Sequence, residues 1–195
     1  YGVQVQALLQ KASQLEIKML CPLHGHVWRE NLGYILDKYN IWSSYQPESK
    51  SVAIIYGSIY GNTENAANIL ANKLAEKDIN NIVMYDVSKT HPSYIVSECF
   101  RCSHLVFASS TYNGGIYTNM ETVLLDLKAH FLHNRTVAII ENGTWGAVAG
   151  KKMKEIFESM KNITILEESA KISSSVKESN IEQLSALADK ISNDF

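Results

Sequence analysis

The sequence of 195 residues has few cysteines, few prolines and little excess charge. Its three cysteines, Cys21, Cys99 and Cys102, are too few for the disulfide framework that stabilises small secreted domains. No signal peptide opens the sequence, so a reducing cytoplasm is the expected setting. Only 3 prolines and 10 glycines occur, which argues against a disordered chain.

The sequence also lacks the features of nucleic-acid and membrane proteins. The formal net charge is -2, so there is no excess of basic residues to bind nucleic acid. No apolar run reaches the ~20 residues that cross a bilayer. Hydrophobic residues nevertheless make up 46% of the chain, enough for a buried core. We therefore expect a folded domain that binds neither nucleic acid nor a membrane.

The first 50 residues differ in pattern from the rest. They predict an amphipathic helix with Leu8, Ala12 and Leu15 on one face, and then a short apolar strand at 17–20. A second short helix carries an apolar face made of Leu32, Ile35, Leu36 and Tyr39. Because so small a unit cannot bury its own apolar faces, residues 1–42 are expected to be the remnant of a preceding domain. The polar segment 43–50 is predicted to be a linker.

From Ser51 onward, apolar strands alternate with amphipathic helices. The predicted strands are 51–57, 81–87, 104–109, 136–142 and 163–169, and the predicted helices are about 63–77, 92–101, 119–133, 150–160 and 177–192. Phe131 is expected on the inward face of its helix. The strands are continuous apolar runs, which is typical of strands buried on both faces. Five such strands with crossover helices predict an α/β fold, a doubly wound parallel sheet in residues 51–195.

Three predicted strands are followed by loops rich in glycine, hydroxyl groups and aromatic rings. These loops are SIYGNT (58–63), SSTYNGGIY (109–117) and NGTWG (142–146), here called loops one, three and four. Ligands of such a sheet bind at the carboxyl ends of its strands. The exit of the second strand, YDVSKTHP, has no such enrichment. The sequence therefore predicts a site built by loops one, three and four.

Loop one joins a strand to a helix, a position where backbone N–H groups can hold a phosphate. Ser58, Asn62 and Thr63 can donate hydrogen bonds, Gly61 permits unusual backbone torsions, and Thr63 is expected to cap the helix. The loop has no lysine and matches neither G-x-x-x-x-G-K-[ST] nor G-x-G-x-x-G. A phosphomonoester held by neutral donors fits better than a triphosphate, and an ordinary capped turn is the alternative.

Loops three and four supply aromatic rings and small residues. Tyr112, Tyr117 and Trp145 can stack on a flat ligand. Backbone can approach that ligand closely at Gly114, Gly115, Gly143 and Gly146. The alternative is that each ring only covers the end of the sheet.

With these three motifs in order, residues 51–195 resemble a flavodoxin-like domain that binds FMN. The resemblance implies the sheet order 2-1-3-4-5. It implies that the FMN phosphate is bound by Ser58, Ile59, Tyr60, Gly61, Asn62 and Thr63. It implies that the isoalloxazine ring is lined by Ser110, Thr111, Tyr112, Asn113, Gly114 and Gly115. The other side of the ring would be closed by Asn142, Gly143, Thr144, Trp145 and Gly146.

The segment CPLHGHVWR (21–29) adds a second resemblance. A strand that ends in P-x-H-G-x-x-W-R, followed by a helix, a linker and an FMN domain, resembles a flavodiiron protein. This implies that residues 1–42 are the tail of a metallo-β-lactamase-like diiron domain. His24 would be one ligand of a diiron centre whose other ligands lie outside this chain. On spacing alone, a turn with surface histidines is the alternative.

The flavodiiron resemblance implies an electron-transfer role. A donor such as a rubredoxin or a flavin/NADH reductase would reduce the FMN, which would pass electrons to a diiron centre. That centre would reduce oxygen to water or nitric oxide to nitrous oxide, within a homodimer. The alternatives are a stand-alone flavodoxin-like electron carrier and a non-redox regulatory module that binds a phosphate or a nucleotide.

Three other candidate sites are weaker. Cys99 and Cys102 form a single C-x-x-C, whereas rubredoxin-type iron needs two such pairs, so structural thiols are expected. His130 and His133 lie three residues apart on a predicted helix without an evident carboxylate partner, so surface side chains are expected. Asp86 follows the second strand, but a ribose contact is a weak prediction without G-x-G-x-x-G.

Overall fold

The structure is a computed structural model that describes residues 1–195. The chain forms two compact units, Tyr1–Glu48 and Ser49–Phe195. None of the helices in either unit is both long enough and apolar enough to pass through a membrane.

The first unit contains the helices α1 (Gly2–Ala12) and α2 (Leu32–Ser43). The Gln6 side-chain amide of α1 donates to Asn40 Oδ1 at 3.0 Å and to Ser43 Oγ at 2.7 Å. A Cβ atom on Gly2 would lie 2.3 Å from the Ser43 carbonyl oxygen, so the close approach of the two helices requires glycine there. Neither helix has a buried residue.

The predicted strand at 17–20 is wrong. This segment forms one antiparallel bridge between Leu20 and Trp28, with two backbone hydrogen bonds of 2.9 Å. A strand needs backbone partners along its length, and residues 1–48 offer no other extended segment to pair with it. Leu15 and Leu23 remain 68% and 97% exposed. The first unit therefore leaves large apolar side chains in contact with solvent.

The second unit alternates strands and helices. Its strands are β1 (Ser49–Gly57), β2 (Ile82–Asp86), β3 (Cys102–Tyr112), β4 (Gly115–Ile116), β5 (Arg135–Asn142) and β6 (Ile163–Ile172). Its helices are α3 (Asn62–Ala75), α4 (Pro92–Arg101), α5 (Thr118–Ala129), α6 (Ala149–Glu158) and α7 (Glu178–Asp194). Five strands form a parallel sheet in the order β2-β1-β3-β5-β6, which confirms the predicted order. The short β4 was not predicted and pairs antiparallel with the end of β3.

The sheet is buried on both faces. Residues 52–55 of β1 are all 0% exposed, because alternate side chains enter two different cores. One core lies between the sheet and the helices α3 and α7. The other lies between the sheet and α4, α5 and α6, where the rings of Phe107 and Phe157 are 5.0 Å apart. These two layers fix the ends of the strands, where the loops of the predicted site begin.

One predicted core residue is outside the core. The helix α5 ends at Ala129, four residues earlier than predicted, and Phe131 is 71% exposed. The chain reverses at Phe131, whose φ is +58°, and Leu132 is buried instead. The hydrophobic spacing continues past the end of the helix, so the sequence predicts the wrong face for Phe131.

Candidate functional site

Loops one, three and four meet at the carboxyl ends of β1, β3 and β5 around a cavity of about 370 Å³, here called the first cavity. From the predicted site, the first cavity is lined by Ser58, Ile59, Tyr60, Asn62, Thr63, Ser110, Thr111, Asn113, Gly114, Asn142, Gly143, Thr144 and Trp145. The remaining predicted residues, Gly61, Tyr112, Gly115 and Gly146, do not line it. No lysine or arginine lines it, so only neutral groups face a ligand there.

Two of the glycines outside the lining shape the loops instead. Gly61 and Gly146 have φ values of +84° and +78°, which favour glycine because it has no Cβ. Gly61 is the N-cap of α3, and the chain enters the helix directly after it. These residues set the course of the backbone around the first cavity.

The prediction that Thr63 caps α3 is wrong. Thr63 lies inside the first turn of the helix, is 1% exposed, and places its Oγ1 2.9 Å from Ser110 Oγ. The Ser110 hydroxyl in turn lies 3.2 Å from the Gly57 carbonyl oxygen, to which it donates. Thr63 and Ser110 therefore hold loop one against loop three.

The Ser58 hydroxyl is buried and has no hydrogen-bond partner in the protein. A buried polar group without a partner costs roughly 1–3 kcal/mol, so such a group needs an explanation. Ser58 lies at the start of loop one, and α3 begins at Asn62 of the same loop. The positive end of a helix dipole favours an anion there. An acceptor such as a phosphate oxygen would satisfy the Ser58 hydroxyl.

Thr111 and Gly143 fix loop four. The Thr111 Oγ1 accepts hydrogen bonds from the backbone N–H groups of Val148 at 3.1 Å and Ala149 at 3.2 Å, where α6 begins. A Cβ atom on Gly143 would lie 3.1 Å from the same Oγ1 and 3.1 Å from Ala147 Cβ. Glycine at 143 therefore lets loops three and four pack closely beside the first cavity.

Large aromatic rings stand exposed near the site. Trp145 is 96% exposed, Tyr60 is 89% exposed and Tyr112 is 47% exposed. Trp145 and Tyr60 line the first cavity. Their ring faces can stack on a flat aromatic ligand, which contributes about 0.5–1.5 kcal/mol beyond burial for each good pair.

Sequence reasoning missed Ser174, which also lines the first cavity. Ser174 follows β6, which ends at Ile172 rather than at the predicted residue 169. The available signal was the run of three serines at 173–175, which the short predicted strand left away from the strand end.

A second cavity, of about 660 Å³, adjoins loop one on the side of β2. Asp86, Ser88 and Lys89, at the exit of β2, line this second cavity and not the first. The Asp86 carboxylate accepts from the Ser88 N–H at 2.8 Å and lies 3.2 Å from Lys89 Nζ. The exit of β2 therefore contributes polar groups next to the predicted site.

Tyr56 carries a perturbed phenol beside loop one. Its hydroxyl donates to Glu64 Oε1 at 3.2 Å. Burial, together with the negative charges of Glu64 and Asp86, raises the pKa of Tyr56 to about 12. The phenol is therefore protonated at neutral pH and serves as a hydrogen-bond donor.

The cysteine pair, the histidine pair and His24 lie in different surroundings. Cys99 and Cys102 are 0% exposed, and burial raises the pKa of both thiols, as expected of structural cysteines. His130 Nδ1 lies 3.1 Å from the Asp126 carboxylate, a partner one helical turn away that the sequence interpretation overlooked. His24 is exposed, and no three His, Cys, Asp or Glu side chains converge on a common point.

Comparisons with known proteins give a family match within the second unit. A family model described as Flavodoxin matches residues 54–181. An uncharacterized protein from Methanocaldococcus jannaschii is 27% identical over 160 residues, which are 82% of this chain and 40% of that protein. The anaerobic nitric oxide reductase flavorubredoxin of Vibrio vulnificus is 32% identical over 116 residues, which are 58% of this chain and 23% of that protein.

Solved structures of flavodiiron proteins share the fold. The rubredoxin oxygen:oxidoreductase of Desulfovibrio gigas matches 100% of this chain and 49% of its own, with a TM-score of 0.91 at 21% identity. The flavodiiron protein of Giardia intestinalis matches 98% of this chain and 48% of its own, with a TM-score of 0.81 at 20% identity. This chain spans less than half the length of these relatives. Because the family model covers most of the second unit, this chain belongs to the flavodoxin family.

Proposed function

We propose that the second unit binds FMN and acts as the electron-transfer domain of a flavodiiron-type oxidoreductase. The observation that carries this proposal is the buried, unpartnered hydroxyl of Ser58 in a cavity built by three loops at the carboxyl edge of the sheet. The family match and the relatives named as flavorubredoxins support the choice of a flavin.

Loop one would hold the FMN phosphate. Ser58, Asn62 and the backbone N–H groups at the start of α3 supply neutral donors, and the helix dipole adds a favourable field. Thr63 and Ser110 brace the loop rather than contact the phosphate through their hydroxyls. Phosphate binding by these neutral donors would need no lysine in this loop.

Loops three and four would hold the isoalloxazine ring. Trp145 and Tyr60 offer exposed ring faces, and Gly114 and Gly143 bring backbone to the wall of the first cavity. FMN supplies reversible electron transfer when it is bound, while the protein supplies orientation, exclusion of water and hydrogen bonds. The residues named here are the groups that would perform those tasks.

The role of the whole protein extends the same proposal. We propose that a rubredoxin-type donor or a flavin/NADH reductase reduces the FMN, and that a diiron centre accepts the electrons and reduces oxygen or nitric oxide. Residues 1–42 would be the tail of the metallo-β-lactamase-like domain, and His24 one iron ligand. Of the predicted linker 43–50, Ser43 belongs to α2 and residues 49 and 50 belong to β1, so the proposed linker is limited to 44–48. The exposed Leu15 and Leu23 support a larger apolar neighbour for this segment. A homodimer in the cytoplasm is the proposed state of the intact protein.

The first test is the visible absorption of the purified chain after addition of FMN and gel filtration. Flavin bands that stay with the protein at one FMN per chain would support the proposal. A chain that retains no flavin, and binds another phosphate ligand instead, would favour the regulatory module.

A single substitution tests the role of the phosphate loop. Ser58→Ala should weaken FMN binding about tenfold, because it removes one charge-assisted hydrogen bond, and should leave riboflavin binding unchanged. Ser159→Ala is the matched control, since the Ser159 hydroxyl only bonds to the Ile156 carbonyl at the end of α6. Titrations of flavin fluorescence give both dissociation constants. Equal weakening of FMN and riboflavin would contradict the assignment of Ser58 to the phosphate.

A further inference from the structure

The loop between β6 and α7, residues 173–177, forms a further wall of the first cavity. Ser174 lines that cavity although the loop belongs to none of the three predicted segments. Ser173, Ser174 and Ser175 are exposed and uncharged, so their hydroxyl groups are available to a polar ligand. These three serines thus offer the same neutral hydroxyl groups as loop one, and the loop ends at Lys177.

Asn142 holds this loop at Ser174. The Asn142 Oδ1 accepts from the Ser174 N–H at 3.1 Å, and its Nδ2 donates to the Ser174 carbonyl oxygen at 2.9 Å. Asn142 is only 6% exposed and is the last residue of β5. The two bonds require one donor and one acceptor on a single short side chain, which an amide provides and a carboxylate does not.

Ser174 needs that support because its backbone is strained. Its φ is +66°, a region that residues with a Cβ adopt at a cost of about 1–3 kcal/mol. An exposed loop would relax from such a conformation unless neighbouring groups held it there. The paired hydrogen bonds from Asn142 are the contacts that hold Ser174.

A second buried asparagine ties the ends of the same loop together. The Asn180 Oδ1 accepts from the Lys177 N–H at 3.0 Å, and its Nδ2 donates to the Lys171 carbonyl oxygen at 2.9 Å. Asn180 is 6% exposed. The Gly143 N–H also donates to the Ile172 carbonyl oxygen at 3.1 Å. The loop is therefore fixed at its start, its middle and its end without any ligand.

We propose that the β6–α7 loop is a fourth binding element of the FMN site, and that Asn142 is a positioning residue that acts through Ser174. The proposal rests on the proposed FMN function. A loop that is ordered before binding loses less conformational entropy when the ligand arrives, which raises affinity. Releasing the loop should therefore weaken FMN binding, and the substitutions at Ser174 do so without changing a residue of loops one, three or four.

The main test replaces Asn142 by aspartate, which has the same size. Asn142→Asp removes the donor to the Ser174 carbonyl and sets a negative charge beside that oxygen, so FMN binding should weaken about tenfold at pH 7. Protonation of the new carboxyl restores an O–H donor. The ratio of the variant and wild-type dissociation constants should therefore fall towards one as the pH is lowered to about 4. Asn80→Asp is the matched control, because the exposed Asn80 bonds only to the Asp78 carbonyl.

Two substitutions at Ser174 test the same proposal if Asn142→Asp does not fold. Ser174→Pro removes the N–H and cannot adopt the positive φ, so it should weaken FMN binding at least tenfold. Ser174→Gly keeps both backbone bonds and accepts the positive φ but loses the hydroxyl, so it should weaken FMN binding less than Ser174→Pro does. Both changes lie in an exposed loop, away from the buried cores.

A measurement without FMN separates this proposal from the proposed function. Amide hydrogen exchange at Ser174 should be slow in the wild-type chain and at least tenfold faster in Asn142→Ala, which removes the acceptor of the Ser174 N–H, with no change in Asn80→Ala. If the wild-type chain does not bind FMN, the proposed function fails and the fourth binding element fails with it. If the wild type binds FMN and Asn142→Asp and Ser174→Pro bind it equally well, only the present inference is overturned.

Discussion

The two edges of the parallel sheet in the second unit differ in the charge and the hydrogen bonding of their polar groups. At the amino edge, where the strands begin, buried charged or titratable side chains such as Arg135 and His104 have partners. At the carboxyl edge the side chains that line the first cavity are neutral, the Ser58 hydroxyl has no partner, and Gly61 and Ser174 adopt positive φ. The difference indicates that the amino edge contributes stability, while the carboxyl edge keeps bonding capacity for a ligand.

Arg135 shows how the amino edge is built. It is 2% exposed and donates to the carbonyl oxygens of Cys99 at 3.1 Å, His133 at 2.9 Å and Asn134 at 3.0 Å, and also to that of Phe100. Burial lowers the pKa of Arg135 to about 10, so the guanidinium is charged at neutral pH. One side chain thus satisfies carbonyls in the last turn of α4 and in the backbone before β5.

The largest expected effect comes from removing the Arg135 guanidinium at the amino edge. Arg135→Met should lower the free energy of unfolding by roughly 3 kcal/mol, because several buried carbonyls lose their donor. Urea unfolding measures the change. The FMN dissociation constant of the folded variant should stay within about twofold of wild type, since the site lies at the opposite edge.

Arg101→Met is the control for this change. Arg101 pairs with Glu98 at 2.6 Å, and its side chain is 27% exposed, so its loss should cost less than about 1 kcal/mol. Equal destabilisation by the two substitutions would contradict the special role of the buried guanidinium.

A smaller effect is expected at the carboxyl edge. Gly61→Val should lower stability by about 1–2 kcal/mol, because a β-branched residue is strained at a φ of +84° although no atom lies within 4 Å of the added Cβ. It should also weaken FMN binding by about tenfold or more, since Gly61 directs the backbone of loop one. Thermal unfolding and flavin titration measure the two changes.

Gly33→Ala provides a contrast with Gly61→Val. Gly33 lies in α2 with open space around its Cβ position and no positive φ, so alanine should not reduce stability or FMN affinity. If FMN affinity falls in Gly61→Val and not in Gly33→Ala, the loss of affinity comes from the change in loop one. No loss in Gly61→Val would mean that the course of loop one does not matter for binding.

The smallest expected effect is a change in pH dependence at the amino edge. Burial lowers the pKa of His104 below its ordinary value of 6.5, and the nearby positive charge of Lys50 also lowers it, while Asp194 opposes the shift. The His104 ring lies 2.8 Å from Ser103 Oγ and 3.2 Å from Asp194 Oδ2, with the Phe195 ring centroid 5.1 Å away. The folded chain therefore favours neutral His104.

The sign of the pH effect follows from this lowered pKa. As the pH falls below about 6.5, the unfolded chain takes up the proton first, so the free energy of unfolding decreases. Above that pH the contribution of His104 is fully present. His104→Gln should flatten the decrease between pH 7 and pH 5, and the exposed His26→Gln should leave it unchanged. Unfolding curves for both variants that matched the wild-type pH profile would contradict the lowered pKa.

The sheet and the convergence of loops one, three and four were predictable because both depend on local patterns. Continuous apolar runs indicate strands that are buried in a parallel sheet. The loops that follow such strands meet at the carboxyl edge of the sheet. The Ser174 loop was not predictable in the same way. The pairing of β5 with β6 changes register between Val137 and Ile139, and β6 continues to Ile172. Such an irregular pairing depends on tertiary contacts, so the local pattern predicts the end of β6 three residues too early.

Two other misses have the same cause. Thr63 has the residue type of a helix cap, but Gly61 takes that position and Thr63 turns inward to Ser110. The apolar segment 17–20 has the composition of a strand, but no extended partner lies within the first unit. The residue type indicates which structural roles a residue can fill. The residues that it contacts in the folded chain determine which of these roles it takes.

The measurement that tests the central claim most directly is a titration of the purified chain with FMN and, separately, with riboflavin. Riboflavin carries the same ring without the phosphate. A neutral phosphate cradle in loop one predicts one FMN per chain, bound at least about tenfold more tightly than riboflavin. Equal affinity for the two flavins, or no binding of either, would contradict a flavin phosphate site at the carboxyl edge of the sheet.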